Sequence, residues 1–476
     1  MAFVGHSLET LASADPNAPA LTCGARRWTR SGLFAEIAAL AVKLQTRVPF
    51  GARVGLCLTD PASLLIAFFA VGRSGGVALV YDPDWPASRR ASIDEAVKPA
   101  LVLDAEVLRV LQGQTVPAGG HGAEPGPEEP FYAGFTSGST GEPKGYLRSH
   151  RSWLRSFEVS AAEFPVHPQD RVVVPGNLVH SLHLYGAVHG LCVGAHVLVS
   201  ERFNPRALAR VLQEDGPAVL YATPTQIHFV ATEISRTMPA ANVRLVLASG
   251  AKWRDADRRA MAEPFPAARL VEFYGASEMS FITVSTPEDR VPDGSVGRAA
   301  KGVAISIRGE AGAECAAYQT GTIWVSSDML YSGYICGGGS EVMRDQDWLT
   351  VGDCGYVDDK GFLYLAGRKN RMIVTSGVNI YPEEVEQVLL DHPAVAETAV
   401  LPKTDPVRGK ILVAVVRLIA GKEVTEKELR RHCAARLGRI GTPRRFVIAA
   451  EMPLTPGGKL DLQMLQKQID VGVVAS

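Results

Sequence analysis

The sequence predicts an α/β fold with a large N-terminal domain of mostly parallel β-sheets covered by helices, followed by a small α+β domain. Two features predict it. Short apolar runs alternate with amphipathic runs through most of the chain, and strands that alternate with helices favour a parallel sheet. After Arg368 the pattern changes to a compact set of strands and helices. The length of 476 residues is sufficient for roughly two to four domains.

The N-terminal part begins with strands and helices in turn. The runs "RVGLCLTD" and "GVALVYD" predict buried strands, and "SGLFAEIAALAVKLQTRV" has helical spacing after a Thr-Arg-Ser start signal. "SLLIAFFAVG", Ser63 to Gly72, predicts a buried helix, because a membrane span needs about 20 apolar residues. The alternation resumes after residue 170 with "DRVVVPG", "AHVLVS", "NPRALARVLQE", "AVLYATP" and "VRLVLASG".

A segment rich in Gly, Pro and Glu separates these two blocks. "TVPAGGHGAEPGPEEP", Thr115 to Pro130, lacks apolar periodicity and predicts a surface loop. It leads into "FYAGFTSGSTG", which predicts a strand that runs into a glycine-rich loop.

A domain boundary is predicted near "GRKNRMIVTSGVNIYPEEVEQVLL". Beyond it we expect helix "PEEVEQVLLDH", strands "VAETAVLP" and "ILVAVVRL", helix "TEKELRRHCAARLG" and strand "RRFVIAA". About a hundred residues with their own apolar set are enough for an independent domain. The predicted domains are therefore residues 1–369 and 370–476.

Composition excludes several classes of function. The 49 basic and 50 acidic residues leave a net charge of −1, so nothing indicates a nucleic acid or an anionic membrane as partner. The first residues lack a basic segment followed by an apolar run, so no signal peptide is expected. The seven cysteines form no C-x-x-C pair, which is typical of reduced thiols in a cytoplasmic protein.

The stretch "FTSGSTGEPKG", Phe135 to Gly145, predicts a loop that binds an anion. Successive backbone N–H groups can converge on phosphate oxygens, and Lys144 adds a mobile positive charge. Because Pro143 precedes this lysine, the stretch does not match the P-loop pattern. Neither of its serines fits the G-x-S-x-G pattern of a nucleophile. A flexible surface loop stays open as the alternative at this point.

Four further segments carry groups that suit a nucleotide site. "EFYGASEMS" presents Glu278 at the end of a strand, where a carboxylate can bind Mg²⁺. "DWLTVGDCGYVDDKGFLYLAGR" places Asp353 after a glycine, which suits a carboxylate that bridges ribose hydroxyls. "GRKNRMIVTSGVNIYPEEVE" follows, and "MPLTPGGKLD" presents Lys459 in a glycine-rich turn.

In this order, these five segments resemble the adenylate-forming superfamily of acyl- and aryl-CoA synthetases, peptide-synthetase adenylation domains and beetle luciferases. The resemblance covers nearly the whole chain. It implies a large N-terminal domain with a small mobile α+β C-terminal domain, and ATP and Mg²⁺ as cofactors. It also implies that the β- and γ-phosphates of ATP are held by Thr136, Ser137, Gly138, Ser139, Thr140, Gly141 and Lys144.

The resemblance assigns further roles. Tyr274, beside Gly275, would stack near adenine, Ser277 would contact the α-phosphate, and Glu278 would hold Mg²⁺ together with Thr140. Most relatives have Thr where this chain has Ser277, so the hydroxyl is kept. The remaining nucleotide contacts would come from Asp353 and Arg368 on the ribose and from Gly250 and Ala251 on the floor of the adenine and acyl sites.

Lys459 would bind the substrate carboxylate and the α-phosphate. These two anions repel each other, so their reaction needs cations in a site closed to water. Relatives usually carry Asp or Lys at the hinge before the mobile domain, where this chain has Asn370, followed by Arg371 where an acidic residue is common. Because Asn tolerates unusual backbone angles, a pivot is still expected.

The segment after the phosphate loop predicts the class of acid. Amino-acid-activating relatives place an Asp there, but this chain has no acidic residue from Asn177 to Ala195. A buried ammonium without a partner is costly, so we expect a small carboxylic acid that lacks an α-amino group. His180 and Met279, with Trp253 nearby, are the predicted pocket residues. A metal site is the alternative for the histidines clustered here: His180, His183, His189 and His196.

The predicted function is ATP-dependent activation of such an acid to an acyl-adenylate, then transfer to CoA as a thioester. A stand-alone enzyme that loads the phosphopantetheine of a separate acyl carrier protein is the alternative, because both acceptors present the same thiol. The stretch "GGGS", Gly337 to Ser340, resembles an attachment motif but predicts a turn, since no carrier bundle surrounds it. An inactive nucleotide-binding relative is the alternative of another class, and only Asn370 and Arg371 favour it.

Overall fold

The structure is a computed structural model that describes residues 3–115, 123–137, 143–251, 253, 255–338, 342–375, 378–405, 409–454 and 460–471. The chain divides into two compact units that interleave along the sequence. Unit 1 comprises Met1–Ser306, Trp324–Val351 and Asp358–Tyr364, and unit 2 comprises Ile307–Ile323, Gly352–Val357 and Leu365–Ser476. The predicted α/β fold class is confirmed, while the boundary between residues 369 and 370 stays a prediction.

Several helices of the described residues begin at clear sequence signals. Asp60 caps one helix by accepting from Ser63 N at 2.9 Å, and Thr223 and Gln226 form a reciprocal capping box on another. In chain order the α-helices are α1 (Ser7–Ala14), α2 (Arg30–Gln45), α3 (Pro61–Arg73), α4 (Ala87–Val97), α5 (Ala105–Gln112), α6 (His150–Glu163), α7 (Ser181–Val193), α8 (Pro205–Gln213), α9 (Pro224–Ile234), α10 (Asp255–Ala260), α11 (Pro382–Leu390), α12 (Glu426–Gly441) and α13 (Leu462–Val471).

The strands match the apolar runs of the sequence. In chain order they are β1 (Pro19–Cys23), β2 (Arg26–Thr29), β3 (Arg53–Leu56), β4 (Val77–Val80), β5 (Leu101–Leu103), β6 (Pro130–Ser137), β7 (Pro143–Ser149), β8 (Arg171–Val174), β9 (His196–Val199), β10 (Ala218–Ala222), β11 (Val243–Ala248), β12 (Arg269–Ala276), β13 (Ser280–Ser285), β14 (Arg298–Ala299), β15 (Ala304–Arg308), β16 (Gly321–Ser326), β17 (Gly333–Cys336), β18 (Met343–Asp345), β19 (Trp348–Thr350), β20 (Asp353–Val357), β21 (Leu363–Arg368), β22 (Ile373–Thr375), β23 (Val378–Ile380), β24 (Val395–Asp405), β25 (Gly409–Leu418) and β26 (Arg445–Ile448).

Unit 1 contains two large sheets. The nine-stranded sheet has the order β14-β13-β12-β11-β10-β8-β9-β1-β2 and is parallel from β12 to β1. The six-stranded sheet has the order β17-β7-β6-β4-β3-β5, with β3, β4, β5 and β6 parallel and β7 and β17 antiparallel. The hydrophobic residues of α8 and α9 form a core with β10 and β11, which fixes the carboxyl ends of these strands.

Unit 2 contains the three-stranded sheet β24-β25-β26. Strands β24 and β25 are antiparallel over their whole length, and β26 is parallel to β25. Two hydrophobic clusters form on this sheet, one with residues of α11 and α12 and one with residues of α13. This is the α+β set expected after Arg368.

Two sequence predictions about helices and loops are resolved here. Helix α3 is buried along most of its length, as expected, and no helix of the described chain combines the length and apolarity needed to cross a membrane. The stretch Phe135 to Gly145 is not loop throughout, because Phe135–Ser137 end β6 and Pro143–Gly145 begin β7. The two flanks form strand structure because they pair with each other, Phe135 with Gly145, Thr136 with Lys144 and Ser137 with Pro143.

Candidate active site

Strands β6 and β7 form the base of the predicted phosphate loop. Thr136 pairs with Lys144 and Ser137 with Pro143 across this antiparallel pair. Lys144 is only 8% exposed. The loop residues Gly138, Ser139, Thr140 and Gly141 lie outside the described residues, so their contacts to phosphate stay predictions.

A tight hairpin carries the predicted magnesium ligand. Strands β12 and β13 pair antiparallel, and Ser277 and Glu278 lie in the turn between them. A Cβ at Gly275 would lie 1.9 Å from the carbonyl oxygen of Ser280, so this position requires glycine. Met279 N donates to Ala276 O at 3.0 Å, and Ser280 has a φ of 62°. The turn is therefore closely defined.

Glu278 lies beside the strand that carries Lys144. The residue is 9% exposed, and its carboxylate accepts a hydrogen bond from the Tyr334 hydroxyl at 2.8 Å. Tyr334 on β17 pairs with Tyr146 on β7, two positions beyond Lys144. Within unit 1, the turn that carries Glu278 is therefore hydrogen-bonded to β17, the strand that pairs with the strand of Lys144. Sequence reasoning missed Tyr334, which lies 56 residues from Glu278.

The hydroxyl of Ser277 belongs to a hydrogen-bonded group of side chains. Its Oγ lies 3.4 Å from Ser181 Oγ at the start of α7, and it also interacts with the Tyr146 phenol. The Tyr146 hydroxyl in turn lies 2.7 Å from that of Tyr132, and burial raises the pKa of both phenols. A Cβ at Gly134 would lie 2.2 Å from both hydroxyl oxygens. The phenols therefore stay neutral and hold Ser277 in place.

Arg148 on β7 is a buried cation that sequence reasoning also missed. Its guanidinium donates to the carbonyl of Ser277 at 3.0 Å and to that of Met329 at 2.8 Å. Burial lowers its pKa to about 10. A signal was available, because Lys144 and Arg148 lie on the same face of a strand by the two-residue repeat.

Gly250 and Ala251 follow β11, and Tyr274 lies in the last part of the adjacent parallel strand β12. Ala248 of β11 pairs with Glu272 of β12, so these residues lie near the carboxyl ends, where α/β sheets bind ligands. Gly250 has a φ of 89°, which favours glycine. The segment that contains Gly250 and Ala251 is tied to β12 by Glu272, which accepts a hydrogen bond from Trp253 N.

Glu272, a residue that the sequence did not single out, ties the segment after β11 to β12. Its buried carboxylate accepts from Trp253 N at 2.8 Å and from Arg258 Nη2 at 2.9 Å. Trp253 is 2% exposed and belongs to the hydrophobic core with Met261 and Phe265. The Trp253 ring thus helps to hold the segment after β11 against the hydrophobic core.

The histidines near α7 differ in their surroundings. His180 is exposed and precedes the helix, whereas His183 is buried, with Nε2 3.0 Å from Gln226 Oε1. A Cβ at Gly176 would lie 2.0 Å from the His183 ring. Burial lowers the pKa of His183 to about 4 and that of His189 to about 3, so both are neutral near pH 7.

The structure does not gather these histidines into a metal site. The group of possible ligands found within the described residues consists of Cys23, Asp60 and Glu201 instead. The predicted pocket residue Met279 is 1% exposed, next to Glu278 in the hairpin turn. His180 and Met279 therefore stay predictions as substrate contacts.

In unit 2 the two predicted ribose ligands form an ion pair. Arg368 Nε lies 3.1 Å from Asp353 Oδ1, and the carboxylate is largely buried while the guanidinium is exposed. Lys369 N donates to Gly352 O at 2.8 Å, which holds the two strands together at this point. Lys459 lies outside the described residues, and its role stays a prediction.

The predicted hinge has an exposed Asn370 in a 3₁₀ turn, Lys369–Arg371. Arg371 is anchored instead of mobile, because it pairs with Glu383 at 3.0 Å and with Glu386 at 2.6 Å on α11. Arg371 therefore has a structural role in this chain, since it ties the 3₁₀ turn to α11.

Comparison with known proteins agrees with this arrangement. A family model described as "AMP-binding enzyme" matches residues 8–335, and one described as "AMP-binding enzyme C-terminal domain" matches residues 384–459. A relative from Bacillus subtilis, named uncharacterized acyl–CoA ligase YhfT, is 34% identical over 487 residues, covering 99% of each chain. A 2-succinylbenzoate–CoA ligase from Bacillus licheniformis is 30% identical over 68% of this chain and 67% of its own.

A solved structure resembles the whole chain. The o-succinylbenzoate CoA synthetase MenE from Bacillus subtilis, in complex with the acyl-adenylate intermediate OSB-AMP, matches with a TM-score of 0.85 and 25% identity over 97% of each chain. The same enzyme has been solved with ATP and a magnesium ion. The chain therefore belongs to the AMP-binding, adenylate-forming enzyme family and is an AMP-forming acid–thiol ligase.

Proposed function

We propose that this protein activates a small carboxylic acid without an α-amino group and transfers the acyl group to the thiol of CoA. In the first step the carboxylate attacks the α-phosphorus of ATP, and pyrophosphate leaves. In the second step the thiol attacks the acyl carbon, and AMP and a proton leave. The observation that carries this proposal is the Tyr334 hydrogen bond that fixes Glu278 beside the strand of Lys144.

The residues of unit 1 suit an ATP–Mg²⁺ complex. The largely buried Glu278 carboxylate offers the oxygen ligand that Mg²⁺ prefers, with Thr140 as its predicted companion. Mg²⁺, when bound, would neutralise phosphate charge. Lys144 would balance the charge of the leaving pyrophosphate, and Ser277 would orient the α-phosphate. In unit 2, Asp353 and Arg368 would hold the ribose.

The surroundings of α7 favour an acid without an ammonium group. The segment from Asn177 to Ala195 has no acidic residue, and burial keeps His183 and His189 neutral by lowering their pKa values. A substrate ammonium would find no counter-charge on this helix, and an unpaired buried charge costs several kcal/mol, on the order of 3–5. CoA as acceptor is supported by the names of the relatives.

Pyrophosphate exchange tests the first step. Labelled pyrophosphate should enter ATP only when a suitable acid is present, and a panel of aliphatic, aromatic and α-amino acids identifies the class. Exchange with the α-amino acids alone would contradict the proposed substrate class, and no exchange with any acid would contradict adenylation. Thioester formation, followed by mass spectrometry with CoA and with a pantetheinylated carrier in separate reactions, identifies the acceptor.

Lys459→Ala separates the two half-reactions. Because Lys459 is proposed to neutralise two anions only while the adenylate forms, the variant should lose exchange by about 100-fold or more. Transfer of a supplied acyl-adenylate to CoA should stay within about threefold of the unsubstituted enzyme, since that step no longer joins two anions. Lys467→Ala, on α13, is the matched control for loss of a lysine charge. Equal loss of both half-reactions would refute this role.

A further inference from the structure

Arg148 keeps its charge in the interior of unit 1. The residue is 3% exposed, and within the described residues its hydrogen bonds all end on neutral oxygens. A buried cation held only by neutral groups costs stability compared with an apolar side chain of similar volume. Packing alone therefore does not explain an arginine here, and its contacts indicate what the charge does.

The three partners of this guanidinium belong to separate segments. Nε donates to Ser152 Oγ on α6 at 3.1 Å, Nη1 to the carbonyl of Ser277 at 3.0 Å, and Nη2 to the carbonyl of Met329 at 2.8 Å. Ser277 precedes Glu278, and Met329 lies in the segment that leads to β17 and Tyr334. The Arg148 side chain thus holds the backbone of the turn that carries Glu278. It also holds the segment that leads to Tyr334, the residue that donates a hydrogen bond to Glu278.

Arginine suits this task for a geometric reason. A guanidinium presents donors in a rigid planar fork, so it can fix two carbonyls at a set spacing, whereas the ammonium of lysine is a single point with rotating donors. The charge also acts on the carboxylate, because Glu278 is among the groups whose negative charge favours the protonated guanidinium.

We propose that Arg148 is a positioning residue that holds Glu278 in the geometry needed to bind Mg²⁺ with ATP. The proposal rests on the proposed function and extends it to a residue that is not among the nucleotide and metal contacts proposed above. Removal of the fork would free the turn while it leaves Lys144 and Glu278 in the chain. The loss should therefore fall on the metal-dependent part of ATP binding.

Isothermal titration calorimetry with ATP measures this, once in excess MgCl₂ and once in excess EDTA, without any knowledge of the acid. For the unsubstituted enzyme MgCl₂ should tighten ATP binding. In Arg148→Met the gain in ATP affinity from MgCl₂ should shrink by about tenfold or more, which is the usual cost of losing support for a metal ligand. The affinity for ATP in EDTA should change by less than about threefold. In Arg148→Lys the gain in ATP affinity from MgCl₂ should lie between that of the unsubstituted enzyme and that of Arg148→Met, because one ammonium can reach only one carbonyl.

Arg244→Met is the matched control. Arg244 is a partly buried arginine of β11 that donates to Asp170 and to the carbonyl of Pro165, away from Glu278. Its loss should lower the unfolding temperature and leave the Mg²⁺ gain intact. The proposal is overturned if Arg148→Met keeps the full gain, or loses no more of it than Arg244→Met.

Three further outcomes are decisive. If circular dichroism shows that Arg148→Met does not fold, Arg148→Lys is judged by the same gain, and an unchanged gain in that variant overturns the proposal. If the unsubstituted enzyme shows acid-dependent exchange but Arg148 variants keep the gain, only the positioning role fails. Absence of both exchange and Mg²⁺-dependent binding in the unsubstituted enzyme refutes the proposed function and this inference together.

Discussion

At the scale of single residues, Glu278 could be predicted, but its partners could not. The "YGASE" stretch marks this carboxylate by local sequence, since a strand, a glycine and a turn adjoin it. Tyr334 lies 56 residues from Glu278 along the chain, and Arg148 lies 129 residues from Ser277. Both reach the turn only through the pairing of β7 with β17 and through their side-chain contacts. Local patterns carry no information on such long-range pairs.

Tyr334→Phe tests the phenol that supports Glu278. Loss of the hydroxyl removes a hydrogen bond to a charged carboxylate and should raise the Mg²⁺ concentration for half-maximal pyrophosphate exchange by about tenfold. A Mg²⁺ titration of the exchange rate measures it. Tyr318→Phe, at an exposed tyrosine of unit 2, is the control and should change nothing. An unchanged Mg²⁺ requirement in Tyr334→Phe would show that the bond does not support metal binding.

At the scale of elements, the sequence predicts strands and helices better than the turns between them. The five elements expected after the domain boundary correspond to α11, β24, β25, α12 and β26. The hairpin of β12 and β13 could not be predicted, because Ser280 takes a positive φ of 62° that a serine does not signal. Its need for Gly275 comes from a backbone oxygen on the opposite strand.

Gly275→Ala tests how closely this hairpin is constrained. The added Cβ would meet Ser280 O at 1.9 Å, so the strands must separate, at a cost of about 1–3 kcal/mol or more. We expect a lower midpoint of urea unfolding and at least tenfold slower exchange, since the Glu278 turn moves with β13.

Gly113→Ala is the control for the glycine change. A Cβ at the end of α5 would lie 3.6 Å from Arg109 O, an ordinary contact, and the φ there is −70°. Its effect should stay within about 0.5 kcal/mol. If the two glycine variants behaved alike, the close approach at Gly275 would be unimportant.

At the scale of the molecule, the described part of unit 1 buries the neutral side chains of His150, His183 and His189. Burial lowers the pKa of His150 and His189 to about 3 and that of His183 to about 4, against the usual 6.5. No local pattern marks His150 as buried; its ring stacks on Phe131, and its Nδ1 accepts a hydrogen bond from Val4 N. Such burial follows from the assembly of several elements, so composition cannot reveal it.

These histidines predict acid sensitivity. In the unfolded chain these histidines bind protons near pH 6.5, and in the folded chain only near pH 3–4. Their contribution to the free energy of unfolding is therefore complete above pH 6.5 and falls as the pH drops toward their pKa values in the folded chain. At pH 5.5 each histidine should lower the free energy of unfolding by about 1.4 kcal/mol. Urea unfolding between pH 7.5 and 5.5 measures the slope.

His189→Gln should remove about one third of the pH dependence of the free energy of unfolding between pH 7.5 and 5.5 if the three histidines contribute equally. His228→Gln, on the surface of α9, should leave it unchanged. A stability that does not vary over this pH range would contradict the assignment of neutral buried rings.

The pairing of Ser137 with Pro143 has a practical consequence for protein engineering. Paired strands lie about 4.8 Å apart, so the framework sets the distance that residues 138–142 must close, whatever their identity. That interval can therefore be varied as a cassette, and such libraries would sample the predicted triphosphate contacts without redesign of the two flanking strands.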